Sequence, residues 1–418
     1  MRLRKAAPCL KNGAAFFISI LILRITECSV LTVIGRDERA RCRKISFIDD
    51  FEGWHVKNPV MIFAEWNEPH AAAVRWALAK CDVPSVIGPD VSVITKRTSI
   101  KIDGHKLAWW HNGDAAASKP RSVWFRRPLQ PNLIKCQDSD KSFLDLQWKL
   151  FQKNFLYLGG ELTDSFWINL PSAAVAAESK LVQLRAAQKL SLQFPETVIT
   201  NHSEDVAQLI RRWGRIVYKA FYPHSWKSAA QGTYHSVAVS VLDKYSDLPE
   251  ESIGLCPGIF QRYIEKSADV RVTIIGSKIF AVRIVKYTGE AYLDWRQYAL
   301  SENMMMEPVQ LGAVWERKLQ KLMRSLGIVF GCIDLVVDRE GNIFFLEVNQ
   351  AGQFLFIEER LPEIHLLRAI TAMLIEGRCD YSLNACRMLH FSDYEDSEEN
   401  LLVSKSYDGK KPLFALEQ

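Results

Sequence analysis

Before residue 59 the apolar and polar positions follow no clear period; from there they fall into alternating strand-like and helix-like blocks. The continuous apolar run Val60-Met61-Ile62-Phe63-Ala64 predicts a buried strand, and residues 67–80 the helix after it. Between 85 and 125 short runs predict further strands, notably Ser92-Val93-Ile94 and Ser122-Val123-Trp124-Phe125, with Asn112-Gly113-Asp114 supplying turn residues between them. From 141 to 158 Phe143, Leu144, Leu146, Trp148, Leu150, Phe151, Phe155 and Leu158 recur at helical spacing, and Gly159-Gly160 ends the run. That predicts a long packed helix.

A second block of elements follows Pro171: a helix over 178–190, a strand over 196–200, a helix over 206–213, and strands near 216–220 and 234–242. A third opens at Pro257, with strands near 260–264, 269–275 and 278–284 and a helix over 314–326. It continues with a hairpin whose arms, 331–338 and 343–348, flank the turn Arg339-Glu340-Gly341-Asn342. The acidic run 393–399 and the polar stretch 405–411 predict a mobile tail. The division expected is an N-terminal extension over 1–58, an α/β domain over 59–170, two further lobes over 171–256 and 257–380, and a polar tail over 381–418. The class is α/β (α+β).

With 418 residues the chain exceeds one ordinary core, in keeping with several units of about 100–150 residues. Lys and Arg number 53 against 48 Asp and Glu, a net charge of +5 with no long basic run, so nucleic acid is not expected as a ligand. Nine scattered cysteines without a CxxC pair argue against zinc and against a disulfide framework, and fit a reducing, cytoplasmic setting. The amino terminus pulls the other way: Arg2, Arg4, Lys5 and Lys11 precede an apolar stretch over 14–23 that looks like a secretory signal. It is too short to span a bilayer and is followed by Arg24 and Glu27, so an atypical extension or an upstream start is favoured and no stable membrane association is expected.

The hairpin carries the most chemistry, because Asp334 and Glu347 each interrupt an apolar strand. Glu347 and Asn349, two apart, face one side, and an antiparallel partner can bring Asp334 beside them. Carboxylates flanked by Val, Ile, Phe and Leu are costly to bury unless a cation neutralises them, and magnesium takes such hard oxygen ligands together with nucleotide phosphates. Asp338, next to the turn, reads as solvent-facing. Lys219 ends an apolar run and Lys180 begins a helix, so either can project an ammonium into a phosphate site, although a lone lysine is far more often a surface residue. The stretch Gln261-Arg262-Tyr263-Ile264 joins two strands, where backbone amides can face an adenine edge, and Asp269 lies just beyond, within reach of ribose hydroxyls. Arg271, Arg283 and Arg296 offer guanidinium forks suited to phosphate oxygens, with structural ion pairing as the plain alternative.

At these residues the chain resembles the ATP-grasp superfamily, and within it the ribosomal-peptide maturases that build microviridin-type graspetides. The residues that carry the resemblance are Trp124-Phe125-Arg126-Arg127-Pro128, Trp167-Ile168-Asn169 with Pro171, Glu178-Ser179-Lys180, Asp294-Trp295-Arg296, and Glu347-Val348-Asn349-Gln350-Ala351-Gly352-Gln353-Phe354. The match runs over about 59–375. It implies an ATP-grasp fold in which an N-terminal pre-ATP-grasp domain precedes two lobes enclosing ATP. It implies Lys180 and Lys219 on the phosphates, Gln261 to Ile264 at the adenine, and Asp269 near the ribose. Asp334, Glu347 and Asn349 are implied on Mg2+, with Mn2+ as a substitute, and Arg271, Arg283 and Arg296 near the transferred phosphoryl group. The departures are the residues before Pro59, Leu170 where the family often has proline, and a single glycine, Gly232, between Lys219 and Tyr234.

The function so implied is an ADP-forming carboxylate ligase: it makes an acyl phosphate on Asp or Glu side chains of a precursor peptide and closes lactone or lactam rings. Two other readings compete, an intermolecular ligase adding an amino acid to a peptide or protein carboxylate and a nucleotide-binding module without turnover. The resemblance also leaves room for a homodimer.

Overall fold

The computed structural model describes residues 58–407 apart from 66, 88–97, 103–106, 112–113, 116–119, 128–137, 158–163, 222–224, 228–233, 237–238, 245–249, 288–291 and 299–302. The N-terminal extension, the strand expected at Ser92-Val93-Ile94, Asn112-Gly113, Gly159-Gly160 and residues 408–418 therefore lie outside the described residues.

The first layer is a parallel sheet. Strand β1 (Val60–Phe63) is fully buried and pairs in parallel with β2 (Ser85–Ile87) on one side, while β3 (Thr98–Ile102), β4 (Leu107–His111) and β5 (Asp114–Ala115) form a separate antiparallel sheet. On its other side β1 pairs with β6 (Ser122–Phe125), and β6 with β7 (Phe166–Ile168), giving the order β2-β1-β6-β7. A strand buried on both faces reads as an unbroken apolar run, and the covering element here is α1 (Pro69–Lys80). Pro69 opens that helix and the Glu68 carboxylate caps it, accepting the Ala71 amide at 2.7 Å.

Helix α2 (Asp138–Lys153) is a one-sided element rather than the packed helix expected. Trp148 and Phe151 pack against Met61, Phe63 and Val123, but Phe143, Leu146 and Leu150 are about half exposed. The helix expected over 178–190 is α4 (Lys180–Lys189), and a further helix, α3 (Pro171–Glu178), precedes it; Ser179 leaves helical geometry between them and N-caps α4. Ala177, Ala187 and Leu192 share a core with the C-terminal sheet, so both helices pack there.

The central sheet contains β8 (Thr197–Thr200). It is followed by α5 (Ser203–Trp213), β9 (Arg215–Lys219), the hairpin β10 (Ser225–Lys227) with β11 (Tyr234–Ser236), and β12 (Ser240–Asp243). Helix α6 (Glu250–Leu255) and β13 (Gly258–Arg262) complete it, in the antiparallel order β12-β9-β13-β8. Val206, Leu209 and Ile253 from the two helices cover one face.

The C-terminal sheet comprises β14 (Lys266–Ile275), β15 (Lys278–Lys286), β16 (Met304–Pro308), β17 (Phe330–Asp338) and β18 (Ile343–Asn349), antiparallel in the order β16-β15-β14-β17-β18. Strand alternation, reset in β18 by a register shift between Asp334 and Leu335, sends Val270, Val272, Ile274, Leu335 and Phe345 to the face covered by α7 (Ala313–Ser325), and Asp269, Arg271, Asp334 and Glu347 to the other.

Past Asn349 the chain forms α8 (Leu355–Arg360) and α9 (Leu366–Glu376), the latter against α1. The mobile tail expected from 381 is corrected through Tyr407. Two short helices, α10 (Phe391–Glu395) and α11 (Glu398–Lys405), return to α1 and bury Phe391, Tyr394 and Val403. Tyr394 meets Trp76 edge-on at 5.6 Å, and Arg75 pairs with Glu399. Among the described residues no helix is long and apolar enough to cross a membrane.

Candidate active site

A cleft with about 690 Å³ of open space is lined by β9, the end of β13, the start of β14 and the hairpin β17–β18. It gathers Lys219, Gln261, Arg262, Tyr263, Ile264, Asp269, Arg296, Asp334 and Glu347 from the sequence candidates. Asp334 stands opposite Glu347 in the register of β17 and β18, and Cys332 opposite Asn349, so the three oxygen-bearing residues share one face. A register shift between Asp334 and Leu335 lets Leu346 and Glu347 both line the cleft while Phe345 stays in the core. Strict alternation would have put Phe345 on the same side as Glu347.

Cations converge on the two acids. Lys180, the first residue of α4, pairs with Glu347, and Arg296 Nη1 lies 3.7 Å from its other oxygen. Burial opposes ionisation of Glu347, but Lys180, Arg296 and Lys219 outweigh it and hold the carboxyl well below the usual range. Burial pushes the Lys219 ammonium down, with Glu347 opposing. Arg296 Nε is anchored to Asp294 at 3.0 Å, and its guanidinium is held charged against burial by Asp294, Glu347 and Asp334.

Arg271 is placed differently from the expectation: it lies behind Asp334 and does not line the cleft. Its Nη1 donates to Asp334 Oδ1 at 2.8 Å and its Nη2 to the Gln353 carbonyl at 2.9 Å, so its visible work is to hold Asp334 in position. Arg283 is corrected outright. Its register partner is Val270, on the face turned to α7, and it pairs with Glu307 of β16 at 2.8 Å. A residue one step out of phase along a strand points away from the site.

At the other end of the cleft Lys266 Nζ donates to Asp269 Oδ2 at 2.6 Å and to the Leu293 carbonyl at 2.9 Å, and lies 4.2 Å from the Tyr292 ring. Burial raises the Asp269 carboxyl, with Lys266 opposing. Sequence reasoning assigned no role to Lys266, Tyr292 or Leu346; nothing in the spacing of Lys266 tied it to Asp269. Asp338, read as solvent-facing, caps the hairpin turn, accepting the amides of Glu340 and Asn342 at 3.0 and 2.7 Å.

Among the described residues no three His, Cys, Asp or Glu side chains are gathered as a metal cluster. The oxygen-bearing side chains on this sheet face are two carboxylates and the Asn349 amide, whose Oδ1 accepts the Ala351 amide at 3.0 Å; all are hard oxygens. That set suits a small divalent cation whose remaining ligands come from phosphate and water.

No protein-family model matches the chain. A D-alanine–D-alanine ligase from Paraburkholderia phymatum is 28% identical over 171 residues, 39% of this chain and 54% of that protein. The chain thus spans about half the length of the curated relatives it matches. Among solved structures, a RiPP-associated ATP-grasp ligase from Chryseobacterium gregarium, in complex with ADP and a leader and core peptide, superposes with a TM-score of 0.67 at 21% identity. That match covers 77% of this chain and 97% of the other. The macrocyclase MdnC from Microcystis aeruginosa, bound to the precursor peptide MdnA, gives 0.65 at 22% identity over 77% and 100% of the two chains. The fold is the ATP-grasp fold, and the chain resembles the graspetide maturases that share it.

Proposed function

We propose that this ATP-grasp chain is an ADP-forming ligase that activates side-chain carboxylates of a ribosomally made precursor peptide and closes them into esters or amides. The observation that carries the reading is the convergence of Lys180, Lys219 and Arg296 on Glu347, which lines one cleft together with Asp334, Lys219 and Arg296. Three cations around a buried acid, Asp334, and a partly buried one, Glu347, suit a ligand that brings both phosphate charge and a divalent cation. Asp334, Glu347 and Asn349 would hold Mg2+, which supplies charge neutralisation at the β- and γ-phosphates when bound. Lys180, Lys219 and Arg296 bind the phosphate oxygens. The strand end from Gln261 to Ile264 takes the adenine edge, with Leu346 and Val217 as apolar walls, and Asp269 with Lys266 lies toward the ribose.

In the reaction a peptide carboxylate oxygen forms a bond to the γ-phosphorus as the bond to ADP breaks. A hydroxyl or amine of the same peptide then attacks the acyl carbon, phosphate leaves, and the nucleophile's proton departs with it. The chain's part is to align these groups and keep water from the acyl phosphate. Resemblance to solved peptide-bound ATP-grasp ligases favours cyclisation. The match to D-alanine–D-alanine ligase favours the second reading, joining of two separate molecules.

Mass balance separates the two. The full chain is incubated with ATP, Mg2+ and candidate acidic precursor peptides that carry Ser, Thr or Lys, and the intact mass is followed. Successive losses of one water, with fragmentation suppressed inside the ring, are expected. A gain equal to a supplied amino acid, or no reaction with any acidic peptide, overturns the cyclase reading. The chain is expected to act in the cytoplasm, where ATP is available.

A further inference from the structure

The motif Trp124-Phe125-Arg126-Arg127 lies on the parallel sheet, outside the cleft, and the phosphate chemistry above gives it no role. Its second half is nevertheless turned toward the cation-site hairpin. Arg126 is fully buried, and its Nη1 donates to the carbonyls of Ala351 at 2.5 Å and Gly352 at 2.9 Å. Arg127 Nη2 donates to the same Ala351 carbonyl at 2.9 Å. The counter-ion of Arg126 is Glu68, at 3.3 Å, whose other oxygen caps α1.

The preceding residues are gripped from other directions. Strand β18 is the edge of its sheet, where backbone groups lack a neighbouring strand. Gln183 of α4, buried, supplies one in side-chain form: its Nε2 donates to the Val348 carbonyl at 2.8 Å and its Oε1 accepts the Val348 amide at 3.0 Å. Asn169, at the end of β7, donates to the Gln350 carbonyl at 3.2 Å and accepts the Val329 and Phe330 amides at 2.8 and 3.0 Å. Gly352 sits so close to the strand beneath that a Cβ there would lie 2.5 Å from Cys332 Cβ and 3.0 Å from Arg271 Nη2. The backbone from Val348 to Gly352 is therefore held at nearly every residue by a polar side chain from another element, and it begins between Glu347 and Asn349.

We infer that Gln183 and Arg126 are positioning residues of the cation site, fixing the backbone of residues 348–352 so that Glu347 and Asn349 present their oxygens together. The inference rests on the ligase reading of the hairpin and adds to it. Through Arg126 and Glu68 the N-terminal sheet and the cap of α1 become part of the support for the cation. On residues 348–352 these side chains act only on backbone carbonyls and amides, and neither lines the cleft, so nucleotide binding without metal should not need them.

The test measures ADP binding by calorimetry in EDTA and across a Mg2+ titration, together with thermal unfolding, for the full-length chain and for Gln183→Met, Arg126→Ala and Arg126→Lys. In Gln183→Met and Arg126→Ala, ADP affinity in EDTA should stay within about twofold while the Mg2+ midpoint rises about tenfold or more, and excess Mg2+ should restore ADP affinity. A folded variant with the wild-type Mg2+ midpoint overturns the inference. So does an equal loss of ADP affinity with and without Mg2+, the signature of general damage. Should Arg126→Ala fail to fold, Gln183→Met and Arg126→Lys decide by the same criterion. A wild-type chain whose ADP binding ignores Mg2+ would instead sink the ligase reading, and that result is visible before any substitution is made.

Discussion

At the scale of single residues, the cleft is organised by charges that cannot be removed singly without leaving others unbalanced. Glu347 faces Lys180, Arg296 and Lys219, so Glu347→Ala leaves three cations around a site lacking one of its two carboxylates. Turnover should fall about a hundredfold or more while circular dichroism stays that of the wild type. Wild-type turnover by this variant would remove the proposed cation site. The two arginines of β14 and β15 make a matched contrast. Arg271 is buried against Asp334, and Arg271→Ala leaves that carboxylate without its partner, at a cost of about 3–5 kcal/mol in urea unfolding. Arg283 and Glu307 are 37% and 45% exposed, so solvent screens the pair, and Arg283→Ala should cost under about 1 kcal/mol and leave turnover unchanged. Loss of turnover in Arg283→Ala would contradict its placement on the far face of the sheet.

At the scale of elements, the junction of α8 and α9 carries a titration of its own. Glu358 of α8 is buried and accepts the Leu367 amide in the first turn of α9 at 2.6 Å. Burial pushes its carboxyl up to about 8, against the opposing backbone hydrogen bonds to Leu367 and Leu366. The folded state therefore keeps a proton that the unfolded state gives up near the ordinary carboxyl value. The stability from this group is full below that value and is lost as pH rises through about 8. Over that window it should contribute a decline of about 1.4 kcal/mol per pH unit. Glu358→Gln keeps an oxygen acceptor without the titration, so its unfolding free energy should fall less steeply with pH than the wild type's. Parallel profiles for the two proteins would refute the assignment.

At the scale of the whole molecule, α10 and α11 close over α1, which in turn covers the parallel sheet bearing Arg126. Deleting the residues after Asp380 uncovers Trp76 and removes Phe391, Tyr394 and Val403 from the core. The truncated chain should unfold several degrees lower, since loss of one large buried aromatic alone costs about 3–5 kcal/mol. An unchanged melting temperature would show that these helices add nothing to the fold. At the other end, a chain starting at Asn58 should keep its ATP turnover, because every residue assigned to the cleft lies beyond it. A folded but inactive chain would make the preceding residues part of the substrate site.

The hairpin was legible in the chain itself because a carboxylate inside an apolar strand is costly unless something compensates it, and that cost shows in the local pattern around Asp334 and Glu347. The core strand at Val60 and the cap signals of α1 are equally local, set by side chains within a few residues of one another. The short helices after Asp380 escaped because five and eight residues in an acidic setting are too few for a helical period to register, and their burial depends on α1, more than 300 positions away. Residue type could not separate Arg271 from Arg283, since both are arginines in apolar strands; the pairing of β14 with β15 assigned them to opposite faces. Likewise the bulge at Leu346 reset the side-chain phase, and the grip of Gln183 and Arg126 on the chain after Glu347 joined elements 165 and 225 positions apart. Sequence alone determined which groups were worth burying, because that cost is paid residue by residue; tertiary structure decided which of them meet, because a strand's face and its neighbours are set by register and packing across the chain.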